Sequence, residues 1–542
     1  MRVPIHYSGL LKFLFIAFTG LMACNNYSNT NSRTADTSAA KPVKLMAVRT
    51  GINKENAYND LLLDSALVEQ FISHQPTGYE KANDIRNFYN NRAYQFAWFN
   101  GNGFTEQALA FRSLYDYSKD SGTSRKSLDN SLDKLMATDS LAPSAADPQI
   151  ISTELLMTWR FVNYLDEKFS NEKMKNAALT ELVPYQKHAV DEWITKRSGD
   201  ETTIASKNNW YRRLQEALQE LVIIKKNGGW DSLPLSVKSF TKSKSGSPLI
   251  TRLKKRLHIT GQLPDNDTTP VYTQKLAGAI KNAQAQFGYP SDKILTATLL
   301  KELNIPVAVR IQQVLVNMER MRWMPDMPEN KFILVNIPEF TLHVKEGNNK
   351  FDMNIITGKE GHGTVMFSGE LNAIVFSPYW NLPSGIVEKE ILPAMNKNKY
   401  YLEQKHMEVT GERNGIPVIR QVPGEWNELG RIKFLFPNSL NIYFHDTPHK
   451  WLFNKDKRAY SHGCIRLAEP EKLAQFLLKD NAAWTEQKTA SALKSEKEKY
   501  IKLDHPVPVL IYYFTAWVDE AGILQFRKDI YGHDAAFARR LF

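Results

Sequence analysis

Near Trp323 and Pro325 the spacing of apolar residues changes from three and four to two, which divides the chain into a helical part and a part built from strands. Before that point, Leu155-Leu156-Trp159-Phe161-Val162-Leu165 and Trp210-Leu214-Leu218-Leu221 place apolar groups at helical spacing, as do Ile311, Val314, Leu315 and Met318, which lead into Arg320-Met321-Arg322-Trp323. Beyond it, Phe340, Leu342 and Val344 alternate with Thr341, His343 and Lys345. Gly347-Asn348-Asn349 makes a turn, and Phe351, Met353 and Ile355 alternate with Asp352 and Asn354, the pattern of a β-hairpin. Further strands are predicted at 371–376, at Ile432-Phe434-Phe436, at 440–444 and at 509–518, with one helix starting near Pro470 and carrying Leu473, Phe476 and Leu477. The expected fold is α+β and multidomain, with residues 307–542 forming a mostly antiparallel β-sandwich or open barrel. A chain of 542 residues exceeds a single core, and two to four domains are expected.

The N-terminus reads differently. Arg2 and Lys12 supply positive charge, residues 10–21 are apolar, and Leu21-Met22-Ala23-Cys24 follows. The run is too short for a membrane span, so residues 1–24 read as a lipoprotein signal peptide with Cys24 as the lipidated residue. Asn25 lacks acidic character, which favours a periplasm-facing outer-membrane anchor over an inner-membrane one. Residues 25–58, rich in Asn, Ser, Thr, Ala and Lys, read as a flexible tether. Lipidation of Cys24 would leave Cys464 as the sole thiol of the mature chain, a liability in an oxidising compartment unless its reactivity is used. The formal charge of +11, from 69 Lys+Arg and 58 Asp+Glu, fits residence near an anionic polymer or lipid surface. No block of consecutive basic residues or nucleic-acid motif accompanies it, so a nucleic-acid partner is not expected.

Residues 59–246 read as a helical scaffold. Three helices follow at 247–306, marked by Ile250, Leu253 and Leu257, by Leu276, Ile280 and Phe287, and by Leu299, Leu300 and Leu303, with Gly261 and Pro264 in the first loop. With the closing Leu303-Asn304-Ile305-Pro306, this plan resembles a peptidoglycan-binding module. The chain departs from that family at Ala283-Gln284, where Phe-Gln is usual, and at Lys293 and Thr296, where glycines are usual. Glycan binding and a purely structural role therefore both stand. Between Trp380 and Gln421 the strand pattern lapses into a polar stretch holding Lys397, Lys399, Tyr400, Tyr401, Lys405 and Arg413, which reads as a lid at about 381–421 inside the strand-rich domain.

The chemistry concentrates between His445 and Leu467: His445-Asp446-Thr447-Pro448-His449, a polar loop, then Ser461-His462-Gly463-Cys464-Ile465-Arg466-Leu467. A His ending a strand, a spacer and Ser-His-Gly-Cys followed by an apolar residue and Arg resemble the L,D-transpeptidase catalytic domain. The likeness extends to Ile337-Pro338, to Pro378-Tyr379-Trp380-Asn381-Leu382-Pro383, and to Pro423-Gly424 with Leu429-Gly430, over about 307–535. Upstream likeness suggests the large subfamily with a helical scaffold. The resemblance implies no cofactor and a Cys464 nucleophile, with His445 as base and then acid, its second ring nitrogen held by a backbone carbonyl at Asp446 or its neighbour. Such an enzyme acylates itself on a peptidoglycan tetrapeptide stem, releases D-alanine and passes the acyl group to an amine of a second stem, giving a 3-3 cross-link. Carbapenems would acylate the same thiol.

A thiolate attacks carbonyls well and remains a good leaving group, so amide exchange without ATP suits Cys464, and a neighbouring imidazole can take the thiol proton. Gly463 permits close backbone approach, so its amide and that of Cys464 are candidates for an oxyanion hole. Ser461 and His462 are expected to orient the loop and the thiol. Arg466 would hold a substrate carboxylate or brace its strand, and Tyr443 and Trp380 are candidates to line the donor cleft. Water as acceptor would make the same domain an L,D-carboxypeptidase, and a decayed domain would leave a non-catalytic wall-binding lipoprotein. A zinc site drawn from His445, His449, His462 and Cys464 is the rival use of these residues, but the wider match is to a metal-free family. A papain-like peptidase would need Cys before His in the chain, the reverse of the order here.

Overall fold

The computed structural model describes residues 45–542 apart from 76–77, 119–122, 137, 139–140, 200–208, 242–245, 326, 329 and 439. The signal peptide, Cys24 and the first part of the tether lie outside the described residues. None of the described helices is long and apolar enough to cross a membrane.

The helical part has two cores. The first joins helices Tyr79–Asn91, Glu106–Ser118 and Pro148–Lys168 through Phe88, Trp98, Phe111, Phe161 and Leu165, all fully buried, with Trp323 packed against them. Pro148–Lys168 starts where Asp147 accepts hydrogen bonds from the Gln149 and Ile150 amides and Pro148 opens the first turn, a favoured N-terminal arrangement. The second core joins helix Asn209–Lys226 to Pro248–Ile259, Gln274–Gln286, Ala297–Leu303 and Val307–Met321. Leu253, Leu276, Ile280 and Leu299 belong to the same buried cluster as Leu214, Leu218, Ile311 and Val314. The three short helices at 248–303 are thus packed into the body of the protein and share its core.

The strand-rich part is built from β1 (Lys331–Asn336), β2 (Thr341–Glu346), β3 (Asn349–Gly358), β4 (Phe367–Phe376), β5 (Ile432–Leu435), β6 (Phe444–His445), β7 (Ala459–Ser461), β8 (Ile465–Leu467) and β9 (Lys499–Tyr512). Their order is β7-β3-β8-β6-β5-β4-β9-β1-β2, and β2 pairs back onto β3. The sheet therefore closes on itself as a barrel, where the sequence pattern suggested a two-sheet sandwich or an open barrel. Closure removes the free edges that an open sheet would leave. The sheet is also mixed: β9 with β1, β6 with β8 and β7 with β3 are parallel, the remaining pairs antiparallel. Alternation sends Leu342, Val344, Ile355, Phe434, Phe444, Ile465 and Leu467 inward to one core, which helix Pro470–Leu478 closes with Leu473 and Ala474.

The predicted hairpin forms with Thr341 opposite Asn354 and Glu346 opposite Asn349. The strand expected at 440–444 is only Phe444–His445, because Asn441 takes a left-handed conformation (φ 53°) that breaks extension before Tyr443. The polar stretch at 381–421 is ordered, with short helical segments from Ser384 to Gln404 and a hairpin of strands Met407–Arg413 and Ile416–Gln421. The hairpin turns at Asn414-Gly415, both with positive φ, and Trp380–Asn381 pairs onto its second strand. Leu382, Val387, Ile391 and Ile419 form its own small core.

Candidate active site

Strand register brings the motif residues together. Lys433 of β5 lies opposite His445 of β6, and His445 lies opposite Arg466 of β8. Their neighbours Phe434, Phe444 and Ile465 point into the barrel, so Lys433, His445 and Arg466 point outward in one line, with Tyr443 and Cys464 one row away on the same face. Ile356, opposite Arg466, caps the row from β3 and packs under Leu452 and Phe453 of the short helix Lys450–Asn454.

His445 is buried, and its Nδ1–H donates to the Asp446 carbonyl at 2.6 Å, which leaves Nε2 as the basic nitrogen. The carbonyl is itself held in place: Asp446 Oδ2 accepts from the Arg431 amide at 2.8 Å, and Lys450 Nζ donates to Oδ1 at 2.5 Å. Gly430 makes room for that carboxylate. It has φ +61°, and a Cβ there would lie 2.3 Å from Asp446 Oδ2. Burial, with the Arg466, Lys433 and Lys450 charges, pushes the His445 imidazole down to about 3, so the ring is neutral at physiological pH.

Cys464 is a free thiol with partial solvent access. Its Sγ donates to the Asn441 carbonyl at 3.6 Å, the carbonyl that the left-handed turn at Asn441 sets beside the sulfur. Enclosure of the sulfur pushes the thiol up to about 11, while hydrogen bonds from the Tyr443 amide and hydroxyl and the charges of Arg466 and Lys433 oppose that rise. The resting pair is thus thiol and neutral imidazole.

Ser461 organises the loop. Its hydroxyl donates to the Cys464 carbonyl at 2.5 Å and accepts from the Gly463 amide at 3.1 Å. Thr364 donates to the Gly463 carbonyl at 2.8 Å, and Gly463 itself has φ +113°, a conformation that favours glycine. With the Gly463 N–H engaged by Ser461, the Cys464 amide is the member of the expected oxyanion pair that has no hydrogen-bond partner among the described residues.

Other candidates fall elsewhere. His462 is exposed and bonds outward: Nε2 lies 2.9 Å from Glu390 of the 381–421 segment and 3.3 Å from Lys359 Nζ, with the His362 ring 5.5 Å away. It joins the motif loop to the 381–421 segment and makes no hydrogen bond to the thiol. His449 bonds Glu428 at 3.1 Å. The four residues of the zinc reading are therefore not gathered, and among the described residues no group of three or more His, Cys, Asp or Glu is arranged to hold a metal ion. Arg466 has a buried Nε without a hydrogen-bond partner and faces the charge of Glu428. Tyr443 stands 5.6 Å from the His445 ring, centroid to centroid, whereas Trp380 packs against the small core of the 381–421 segment.

Lys433, Thr364, Glu390 and Asn441 escape motif reasoning because each lies outside the Ser-His-Gly-Cys stretch. Only Lys433 carried a signal, as a charged residue between the apolar Ile432 and Phe434 on a strand leading toward His445.

Residues 330–495 match the family model of the L,D-transpeptidase catalytic domain, and residues 83–218 match that of a Scaffold domain. A candidate L,D-transpeptidase of Haemophilus influenzae is 32% identical over 251 residues, 43% of this chain and 49% of that protein, so the chain spans about half the length of this curated relative. Among solved structures, an L,D-transpeptidase from Mycobacterium smegmatis is 14% identical, covering 34% of this chain and 58% of that one with a TM-score of 0.18. Another, from Stackebrandtia nassauensis, is 11% identical, covering 51% of this chain and 96% of that one with a TM-score of 0.21.

Proposed function

For a chain that belongs, through residues 330–495, to the L,D-transpeptidase family, we propose acyl transfer between peptidoglycan stem peptides through a thioester on Cys464. The observation that carries this reading is the outward row on β6 and β8: a thiol and a neutral imidazole share one face, and the imidazole's tautomer is fixed by the Asp446 carbonyl. In the first half-reaction the Cys464 proton passes to His445 Nε2 as sulfur bonds to the carbonyl carbon before the terminal D-alanine. The oxyanion that forms meets the Cys464 amide. As the C–N bond breaks, the imidazolium gives its proton to the leaving amine. An imidazolium between Lys433 and Arg466 is a strong acid, which suits this return. In the second half-reaction a side-chain amine of another stem attacks the thioester, His445 takes the amine's proton and returns it to sulfur, and a 3-3 cross-link results.

Water in place of the amine gives the L,D-carboxypeptidase reaction. The ordered lid, tied to the motif loop through Glu390 and His462, favours the amine by restricting water at the thioester. The N-terminal pattern around Cys24 supports a lipid anchor that keeps the enzyme beside the wall.

Mass spectrometry tests the reading. Incubated with tetrapeptide muropeptides, the wild-type chain is expected to produce 3-3 dimers, and a carbapenem is expected to add to Cys464. Cys464→Ala should do neither, a loss on the order of 10³-fold or more. The proposal fails if no Cys464 adduct forms and wild type and Cys464→Ala leave the muropeptides equally unchanged.

A further inference from the structure

Lys433 is half-buried on the outward face of β5, directly opposite His445, and no carboxylate pairs with it among the described residues. Its Nζ lies 5.6 Å from the centroid of the Tyr443 ring, and Tyr443 shares the outward face with Cys464, its hydroxyl opposing the upward shift of the thiol. A half-buried ammonium without a salt-bridge partner is costly, and such groups persist where an anion is to be met. The other cation of the row, Arg466, already faces Glu428. His445 cannot take the role at rest, because its ring stands between Lys433 and Arg466 and is neutral.

We propose that Lys433 is an electrostatic positioning residue of the acyl-transfer reaction, its ammonium stabilising the Cys464 thiolate as the proton leaves for His445. The proposal rests on Cys464 being the nucleophile. It assigns the charge compensation that cysteine enzymes commonly draw from an imidazolium to a lysine on the neighbouring strand. The groups that face these atoms are few. Tyr443, Arg466 and Lys433 face the sulfur; Glu498 and Cys464 face Lys433; Arg466, Lys433 and Lys450 face His445. Glu498, which accepts from the Tyr379 amide at 2.9 Å, sets its charge against Lys433 without a salt bridge to it among the described residues. The same ammonium that stabilises the thiolate destabilises the imidazolium, so it favours attack by sulfur and the subsequent release of the proton to the leaving amine.

The test is a titration of the full chain labelled with ¹³Cβ-cysteine, because the carbon shift reports thiol ionisation and not access to the sulfur. Burial pushes Lys433 below its ordinary value, so its own charge is lost across the thiol titration. Lys433→Arg, which stays charged there, is expected to place the Cys464 titration about one pH unit below that of Lys433→Met, a tenfold difference in thiolate at a given pH. Carbapenem acylation of Lys433→Met near neutral pH should slow by a similar factor. Lys433→Arg should keep acylation at the wild-type rate, and His445→Gln should leave the titration within a few tenths of a unit of wild type. Glu498→Gln keeps a hydrogen-bond acceptor for Tyr379, tests the same field without touching the row, and should lower the titration. The proposal is overturned if Lys433→Met is acylated at the wild-type rate near neutral pH, or if Lys433→Arg titrates and reacts as Lys433→Met does. Should Lys433→Met not fold, an unmoved titration in Glu498→Gln overturns it equally. The titration needs no peptidoglycan. A shifted thiol in a protein inactive on stem peptides would therefore sink the transpeptidase reading and leave the role of Lys433 intact.

Discussion

The strands that carry Cys464 and His445 are fixed to a core drawn from all sides of a closed barrel, whereas the proposed lid at 381–421 packs on Leu382, Val387, Ile391 and Ile419. Four such side chains contribute roughly 6–12 kcal/mol of burial, at about 1.5–3 kcal/mol each. Ordering the lid backbone costs about 1–2 kcal/mol per residue. Its order therefore depends on its hairpin hydrogen bonds and on being tied to the barrel at both ends. The contrast extends to two histidines of the motif region. His445, buried, has its tautomer and charge set by the barrel. His462, exposed, holds the lid by a contact that solvent can replace. Geometry for the chemistry is thus kept where motion is expensive, and control of access where it is cheap.

Breaking the barrel side should produce the largest effect. His445→Gln removes the proton acceptor and is expected to slow acylation of Cys464 on the order of 10³-fold. The pH profile of the wild-type rate is the sharper measurement. A base pushed down to about 3 stays competent far below the ordinary imidazole value of 6.5, so the acid limb should lie near pH 4 or lower. The sign for stability is opposite in consequence. The unfolded chain takes up a proton on His445 below about 6.5 and the folded chain does not until about 3, so stability held above 6.5 is lost as pH falls through that window. Melting curves at each pH separate the two. An acid limb at pH 6 to 7 in protein that remains folded would break the picture of a neutral histidine enforced by two cations.

A smaller effect is expected one layer behind. Gly430→Ala places a Cβ against the Asp446 carboxylate and requires an L residue to hold φ +61°. The displaced Asp446 should loosen its carbonyl from His445 Nδ1, reducing acylation about 10- to 100-fold, in the range of supporting-residue losses at well-ordered sites. Thermal unfolding should move down by several degrees as well. A variant with wild-type acylation would show that the Asp446 carbonyl does not fix the working tautomer.

Much of the barrel side was legible in the sequence because alternation and motif order are local. Phe340 to Ile355 reads as a hairpin, and His445 followed by Ser461-His462-Gly463-Cys464 reads as base and nucleophile before any coordinates. Closure of the sheet was not legible, since it depends on β2 finding β3 and on a parallel pairing of β9 with β1 far along the chain. Lys433 became a site residue only through its register with His445. The lid was read as a lapse of pattern, yet Arg413-Asn414-Gly415-Ile416 carries the Asn-Gly signal of a two-residue hairpin turn, and the structure turns there. The strand before that turn, Met407–Arg413, is exposed along nearly its whole length, so its alternation lacks the contrast that a buried face supplies. From its place in the motif His462 is expected to orient the loop and the thiol; its bond to Glu390 depends on the fold of the 381–421 segment, which the motif does not encode.

The lid side of the comparison is tested by Glu390→Gln, and the expected effect is the smallest. The residue lies in a π-helical turn, Val387–Ile391, inside the lid, an irregularity that places its carboxylate toward His462. Both partners are substantially exposed, so the contact is worth at most about 1 kcal/mol, or roughly fivefold in the closed-to-open ratio of the lid. Acylation by a carbapenem should change little, because the barrel row is untouched. The partition of the thioester should change: more water reaches it when the lid opens, and the ratio of tripeptide to 3-3 dimer should rise up to about fivefold, read by chromatography of the muropeptides. Faster amide exchange confined to 384–404 would locate the change in the lid. An unchanged product ratio with faster exchange would mean that the lid opens without controlling water, and the carboxypeptidase activity of the site would then have to be set on the barrel itself.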